Sequence, residues 1–337
     1  MIADLLTRAP IGLLPVLAFL GALIYLDSFK LVSLRAVLLA MAVGAVAAGI
    51  SYPLNGALLD RSALEFVAYS RYVSPWVEES LKAVILVYLI RTQRIALLVD
   101  AAIAGFAIGT GFALVENLYY LAMRPDAPIA VQVIRGFGTA IMHGGATAMF
   151  GLVSVSLAEK HPDRYAVVFL PGLVAAVLLH SAYNHLLFRP VFATLGILAV
   201  LPPLMHVVFQ RSERALRAWL DADLDSDIEL LQLINSDDFT RSHVGTYLHS
   251  LREKFRGEVV ADMLCYLRLH VELAMRAKGV LLMRASGFEP QIDEETRANL
   301  EELRYLERSI GRTGQLAMRP VLRMTSKDLW QIYQLER

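Results

Sequence analysis

Apolar residues fill seven long stretches in the first 210 positions, at 11–27, 34–52, 75–91, 97–123, 136–158, 166–188 and 191–210. A helix needs about 20 apolar residues to cross the hydrocarbon core of a bilayer. The pattern therefore predicts about seven transmembrane helices. The third stretch is short and carries three charges ahead of its closing Arg91, and the seventh contains Pro202, Pro203 and His206. Residues 61–72 mix Tyr and Arg with apolar side chains, which suits a helix lying in the headgroup zone. Beyond position 210 the pattern changes. Apolar residues there recur at helical spacing over 247–254, 258–278 and 294–310, with charges between them. Leu264, Leu267, Val271, Leu273 and Leu281 are the expected core of that part. The fold class is all-α: a polytopic membrane helix bundle over 1–210, followed by a soluble helical domain over 211–337.

Small residues recur at every fourth position in several stretches. The second has Ala36, Ala40, Gly44 and Ala48, the fourth Ala101, Gly105, Gly109 and Ala113, and the fifth Gly136, Ala140, Gly144 and Ala148. Such stripes let helix backbones approach closely, which is how membrane helices associate without a hydrophobic drive. In the sixth, the series Gly172, Ala176, His180, Asn184 runs from small residues to polar ones, so that face should point inward.

Composition sharpens the division. Residues 1–210 hold 13 Lys/Arg and 11 Asp/Glu, whereas 211–337 hold 19 and 21. The net charge is zero, which gives no sign of nucleic-acid binding. Cys265 is the single cysteine, so no intrachain disulfide forms. The apolar run from Ile11 lacks a basic leader and an Ala-x-Ala cleavage site, and reads as a retained first helix. Lys30, Arg35, Arg91, Arg94, Lys160, Arg164, Arg211, Arg214 and Arg217 fall in one set of loops. Arg8, Arg61, Arg71, Arg124, Arg135 and Arg189 fall in the other. The positive-inside rule then puts the first set, and residues 211–337, in the cytoplasm.

Four polar motifs interrupt the apolar stretches: Glu78-Glu79-x-x-Lys82, Phe112-x-x-x-Glu116-Asn117, His143-Gly144-Gly145 and His180-x-x-x-Asn184. An ionisable side chain at membrane depth is costly, roughly 2.5–3.5 kcal/mol on insertion scales, and marks a functional candidate. At 1.5 Å per residue, Glu78, Glu116, His143 and His180 all fall within roughly 5–12 Å of one membrane face. Four antiparallel helices have no reason to share that depth unless they share a site. Glu78 and Glu79 lie about 100° apart on a helix, so one can face the site while the other makes a structural contact. Lys82 can pair with either. Ser74 and Pro75 fit a helix start.

A carboxylate of the pair suits a general base that activates water. Asn184 can donate to an oxyanion. His143, His180 and Glu116 match the His₂Glu set of catalytic zinc sites. Two chemistries stand open, zinc held by those three residues or a metal-free site built on Glu78, and the reading leans to the metal-free one. The bland alternatives are an interfacial Glu78–Lys82 ion pair and a His180 that merely bonds a neighbouring helix. The conjunction of four motifs outweighs them. Asp221, Asp223, Asp225 and Asp227 alternate like a calcium loop, but Ser226 and Gln232 stand where such a loop needs Gly and Glu. They read instead as a hydrated linker and acidic helix start.

The order and placement of the four motifs resemble those of the PrsW-type intramembrane proteases, distant relatives of the CAAX prenyl protease and bacteriocin-immunity family. The resemblance covers about residues 70–190. It implies a polytopic peptidase in the bacterial cytoplasmic membrane that cuts membrane-tethered proteins, with anti-sigma factors as the known example. It implies Glu78 as base with Glu79 in support, and His180 and Asn184 as water-positioning and oxyanion groups. Prenyl proteases carry His where this chain has Glu116.

Two other function classes fit parts of the pattern. A proton-coupled transporter would use Glu116 and the histidines as a relay, but no inverted repeat is visible and the polar residues sit near one face rather than the midplane. An inactive membrane scaffold would leave 211–337 as a partner-binding or self-associating domain.

Overall fold

In lipid the backbone polar groups must find partners inside their own segment, so the apolar stretches fold as helices. The computed structural model describes residues 2–161, 167–186, 189–322 and 326–336. It is 87% helix, with no strand among the described residues. The helices are α1 (Ile2–Leu26), α2 (Leu34–Arg61), α3 (Phe66–Tyr72), α4 (Ser74–Arg91), α5 (Leu98–Met123), α6 (Ile129–Ile134), α7 (Ala140–Lys160), α8 (Phe169–Leu186), α9 (Pro190–Ile234), α10 (His243–Ser250), α11 (Gly257–Ala285), α12 (Glu294–Leu322) and α13 (Ser326–Leu335). A π-helical turn, Arg135–Thr139, joins α6 to α7. The chain divides into two compact units, Met1–Asp27 with Leu31–Ser212, and Ser28–Lys30 with Glu213–Arg337.

Among the described residues, five helices are long and apolar enough to cross a membrane: Arg8–Leu26, Leu34–Arg61, Leu98–Met123, Ile129–Lys160 and Pro190–Ile234. These are the first, second, fourth, fifth and seventh of the expected spans. The third expected span, α4, packs Glu78, Glu79, Lys82 and Arg91 into 18 residues. The sixth became α8, and positions 166, 187 and 188 of that expected span lie outside the described residues.

The core of the first unit is α5, buried without a break from Val99 to Ala113. The small-residue stripes explain how its neighbours reach it. A Cβ built on Gly44 of α2 would lie 1.9 Å from the Ile108 carbonyl oxygen. One built on Gly109 of α5 would lie 2.3 Å from the carbonyl oxygen of His143 on α7. Backbone meets backbone at both places, so Gly109 sets the distance between the α5 and α7 motifs. Alanine in a helix interior is normally preferred to glycine by roughly 0.5–1 kcal/mol. We expect the reverse for Gly109→Ala: a loss of about 1–3 kcal/mol, as for an overpacked core, seen as a lower melting temperature in detergent. A melting temperature raised by the substitution would contradict this packing.

In the second unit, α11 is the central element. Leu267, Val271, Leu273 and Leu281 are buried as expected, and Leu264 is half-buried against the same cluster. Two expectations change here. The segment Asp221 to Asp227 is not a linker, because α9 continues to Ile234. The reason is a contact distant in sequence: Asp223 and Asp227 stand one helical turn apart and both bind the buried ammonium of Lys278, at 2.5 Å each. The helices expected over 258–278 and 294–310 run on to Ala285 and Leu322, the one expected over 247–254 is shifted to α10 and a short 3₁₀ turn at Leu251–Glu253, and α12 bends at Gly311, where φ is 64°.

Candidate active site

Helix α4 carries the first motif. Ser74 opens the helix but does not cap it; its hydroxyl donates to Glu78 Oε1 at 2.6 Å. Asn55 of α2 lies 3.5 Å from the same oxygen. The two neighbouring carboxylates divide as the 100° rotation requires. Glu79 is buried and accepts from Lys82 Nζ at 2.6 Å and from His180 Nδ1 at 2.8 Å, with Thr147 Oγ1 at 3.4 Å from its other oxygen. Glu78 keeps some exposure and turns Oε2 toward His180 Nε2, 3.9 Å away. Lys82 pairs with Glu79 rather than Glu78.

The imidazoles of His143 and His180 meet edge to face, with ring centroids 4.8 Å apart. Both are buried. His143 sits between two charged groups: Nδ1 is 3.2 Å from Lys82 Nζ and Nε2 is 2.7 Å from Glu116 Oε2. Phe112, from the same motif as Glu116, covers this corner. Its ring lies 4.5 Å from Lys82 Nζ and 5.0 Å from the His143 ring. Glu116 also accepts from Arg135 at 2.8 Å, and Arg135 Nε donates to Asn117 Oδ1 at 3.0 Å. Asn117 ties this corner to α1 through the Gly12 carbonyl at 2.8 Å.

The structure thus brings Glu78, Glu79, Lys82, His143 and His180 into one cluster and places Glu116 at its edge. Asn184 is used elsewhere. Its amide donates to the Ser70 carbonyl at 2.8 Å, and Ser181 Oγ donates to the Arg71 carbonyl at 2.6 Å. These two bonds pin the short helix α3 against α8. The interfacial helix expected over 61–72 is this shorter α3. Sequence reasoning missed Ser74, Asn55, Thr147 and Arg135. Thr147 carried a signal, since it stands one turn from His143 on the same face. Arg135 did too, as a charge heading an apolar stretch.

The donor set also tests metal binding. Ligand atoms of Glu78, His143 and His180 lie within 4.8 Å of one another, and among the described residues this is the one such group. Glu116, expected as the third ligand, is not in it. His180 has the orientation of a metal ligand, with Nδ1–H given to a carboxylate and Nε2 facing the group. His143 fits once it releases one of its two present partners. A His₂Glu set is a known catalytic zinc arrangement, so the residues fit a metal.

A membrane helix bundle with paired glutamates and histidines drawn together in its interior defines a candidate intramembrane hydrolase. A family model described as "PrsW family intramembrane metalloprotease" matches residues 30–209. The chain belongs to this family: it is an integral membrane protein and a hydrolase acting on peptide bonds. The match extends past the stretch that carried the resemblance and stops short of the segment Glu213–Arg337. The description turns the choice left open by the sequence toward the metal. No curated protein and no solved structure matches the chain.

Proposed function

We propose that Glu78, Glu79, His143 and His180 form the hydrolytic centre, and that it cuts proteins tethered to the same bilayer, among them regulators of the anti-sigma-factor kind. The observation that carries this reading is the 3.9 Å gap between Glu78 Oε2 and His180 Nε2. It is too long for a hydrogen bond, and it matches two polar atoms sharing one oxygen at about 2.8 Å each. A water held there is in place to attack a scissile carbonyl.

Each residue then has a task. Glu78 Oε2 holds the water and accepts its proton, while Ser74 and Asn55 fix the other oxygen. Glu79 accepts the Nδ1 proton of His180, so Nε2 presents its lone pair to the gap. Lys82 balances the buried Glu79 charge and fixes His143 through Nδ1. Where a metal is bound, Glu78, His143 and His180 would hold it, Glu78 then acting as a ligand in place of the base, and the metal would lower the pKa of its water and polarise the carbonyl. Asn184 is a positioning residue for α3 in this reading. The Lys/Arg bias of the loops supports residues 211–337 on the cytoplasmic side of a bacterial membrane.

The test is to compare membrane-anchored protein fragments in cells carrying the wild-type chain or His180→Ala, by mass spectrometry of new termini. A set of termini inside or beside predicted spans, present with wild type and lost with His180→Ala, is the expected result. Identical termini in both cells would end the reading.

A further inference from the structure

The second unit contains a cavity of about 720 Å³ that the peptidase chemistry does not use and the family match does not reach. Its size lies within the roughly 300–1,000 Å³ of small-molecule sites and far exceeds the share of one water, about 30 Å³. The carboxylates of Asp223, Asp227 and Glu229 line it, beside Asp328, which has a partner of its own, and none of the described lining residues is Lys or Arg. The cation behind them is Lys278, fully buried and bound to Asp223 and Asp227. Two further lining side chains, His270 and Gln331, are 5% and 1% exposed. His270 Nδ1 and Gln331 Oε1 have no hydrogen-bond partner among the described residues. Burial, with Lys278 nearby, holds His270 down at about 4, so it is a neutral imidazole at pH 7.

A buried polar atom without a partner is costly and rare in folded proteins. Two of them on one wall, beside a surplus of carboxylates, mark a place that lacks donors rather than acceptors. Gln331 Oε1 accepts only, and the neutral His270 accepts at Nδ1 in its Nε2–H tautomer. Asp227, pushed up by burial, is a carboxylate that one lysine does not fully compensate. Trp219 adds an aromatic face, already 5.4 Å from Lys278 Nζ. Such a face suits a guanidinium or ammonium group. We infer that this cavity binds a small organic cation rich in N–H donors, of the guanidinium or polyamine class. The cationic end meets Asp223, Asp227 and Glu229, and its N–H groups satisfy Gln331 and His270. This inference is independent of the peptidase reading.

Calorimetric titration of the full chain in detergent micelles tests it, with agmatine and spermidine as probes and neutral n-butylurea as control. Saturable binding of at least one cation, with Kd near or below about 1 mM and at least about tenfold tighter than the control, is expected. Glu229→Gln, on the exposed rim, should weaken it by roughly threefold or more. Asp223→Asn should do the same, and Glu229→Gln keeps the test valid if Asp223→Asn fails to fold. Absence of saturable binding by both cations in protein with an intact cooperative melt overturns the inference. So does equal binding of n-butylurea, or cation binding that Glu229→Gln leaves unchanged.

Discussion

Glu78→Gln should cut the rate of peptide hydrolysis by about 100-fold or more while leaving the folded protein intact. The amide keeps the shape of the side chain and can still accept from Ser74, whose hydroxyl lies 2.6 Å from Oε1. It cannot take a proton, and a general base is worth about 10²–10⁴ in rate. Because the side chain is 15% exposed and, among the described residues, no Lys or Arg lies within pairing distance, melting should shift little. The readout is turnover of an identified membrane-tethered substrate by the purified chain in liposomes. Cleavage at the wild-type rate would move the base to Glu79 or remove the site from α4 altogether.

Lys82→Met should produce the largest loss of stability. Lys82 is fully buried and lies 2.6 Å from Glu79, itself 1% exposed at the side chain. Removing one member of a buried ion pair strands the other charge, at a cost of about 3–5 kcal/mol. Here, among the described residues, the stranded carboxylate keeps His180 and Thr147, and His143 loses its partner at Nδ1. Replacing both charges, as Lys82→Met with Glu79→Gln, removes the stranded carboxylate and should restore part of the loss. Unfolding in mixed micelles across this double-mutant cycle measures the coupling. A neutral Lys82→Met, or a double variant no better than the single, would show that the pair is not coupled as the distances imply.

The sequence shows the helices and the shared depth of the motifs because both depend on position along the chain. Apolar length predicts a helix, and the 1.5 Å rise converts residue number into depth. What it does not show is rotation about each helix axis, which packing decides. That is why the sequence suggests Glu116 for the group of three in which the structure has Glu78. Glu116 lies at the right depth, but the approach of α5 to α7 turns it toward His143 Nε2 and Arg135. Asn184 has the same history: one turn from His180, yet drawn to the Ser70 carbonyl by the docking of α3. The long helix α9 was cut short in the sequence reading because four alternating aspartates look like a solvated break. Only the buried Lys278, 51 residues beyond Asp227, explains why two of them sit on a helix face. Contacts of that sequence separation leave no local pattern to read.

Metal content of the purified chain, measured together with that of four single variants, tests most directly whether Glu78, His143 and His180 act as one centre. The account predicts about one zinc-like ion per wild-type chain, as expected for a His₂Glu site. It predicts loss of that ion in Glu78→Gln, His143→Ala and His180→Ala, and retention in Glu116→Gln, since Glu116 stands outside the group of three. An ion retained by all three of the first variants, or lost with Glu116→Gln while Glu78→Gln keeps it, would contradict the assignment.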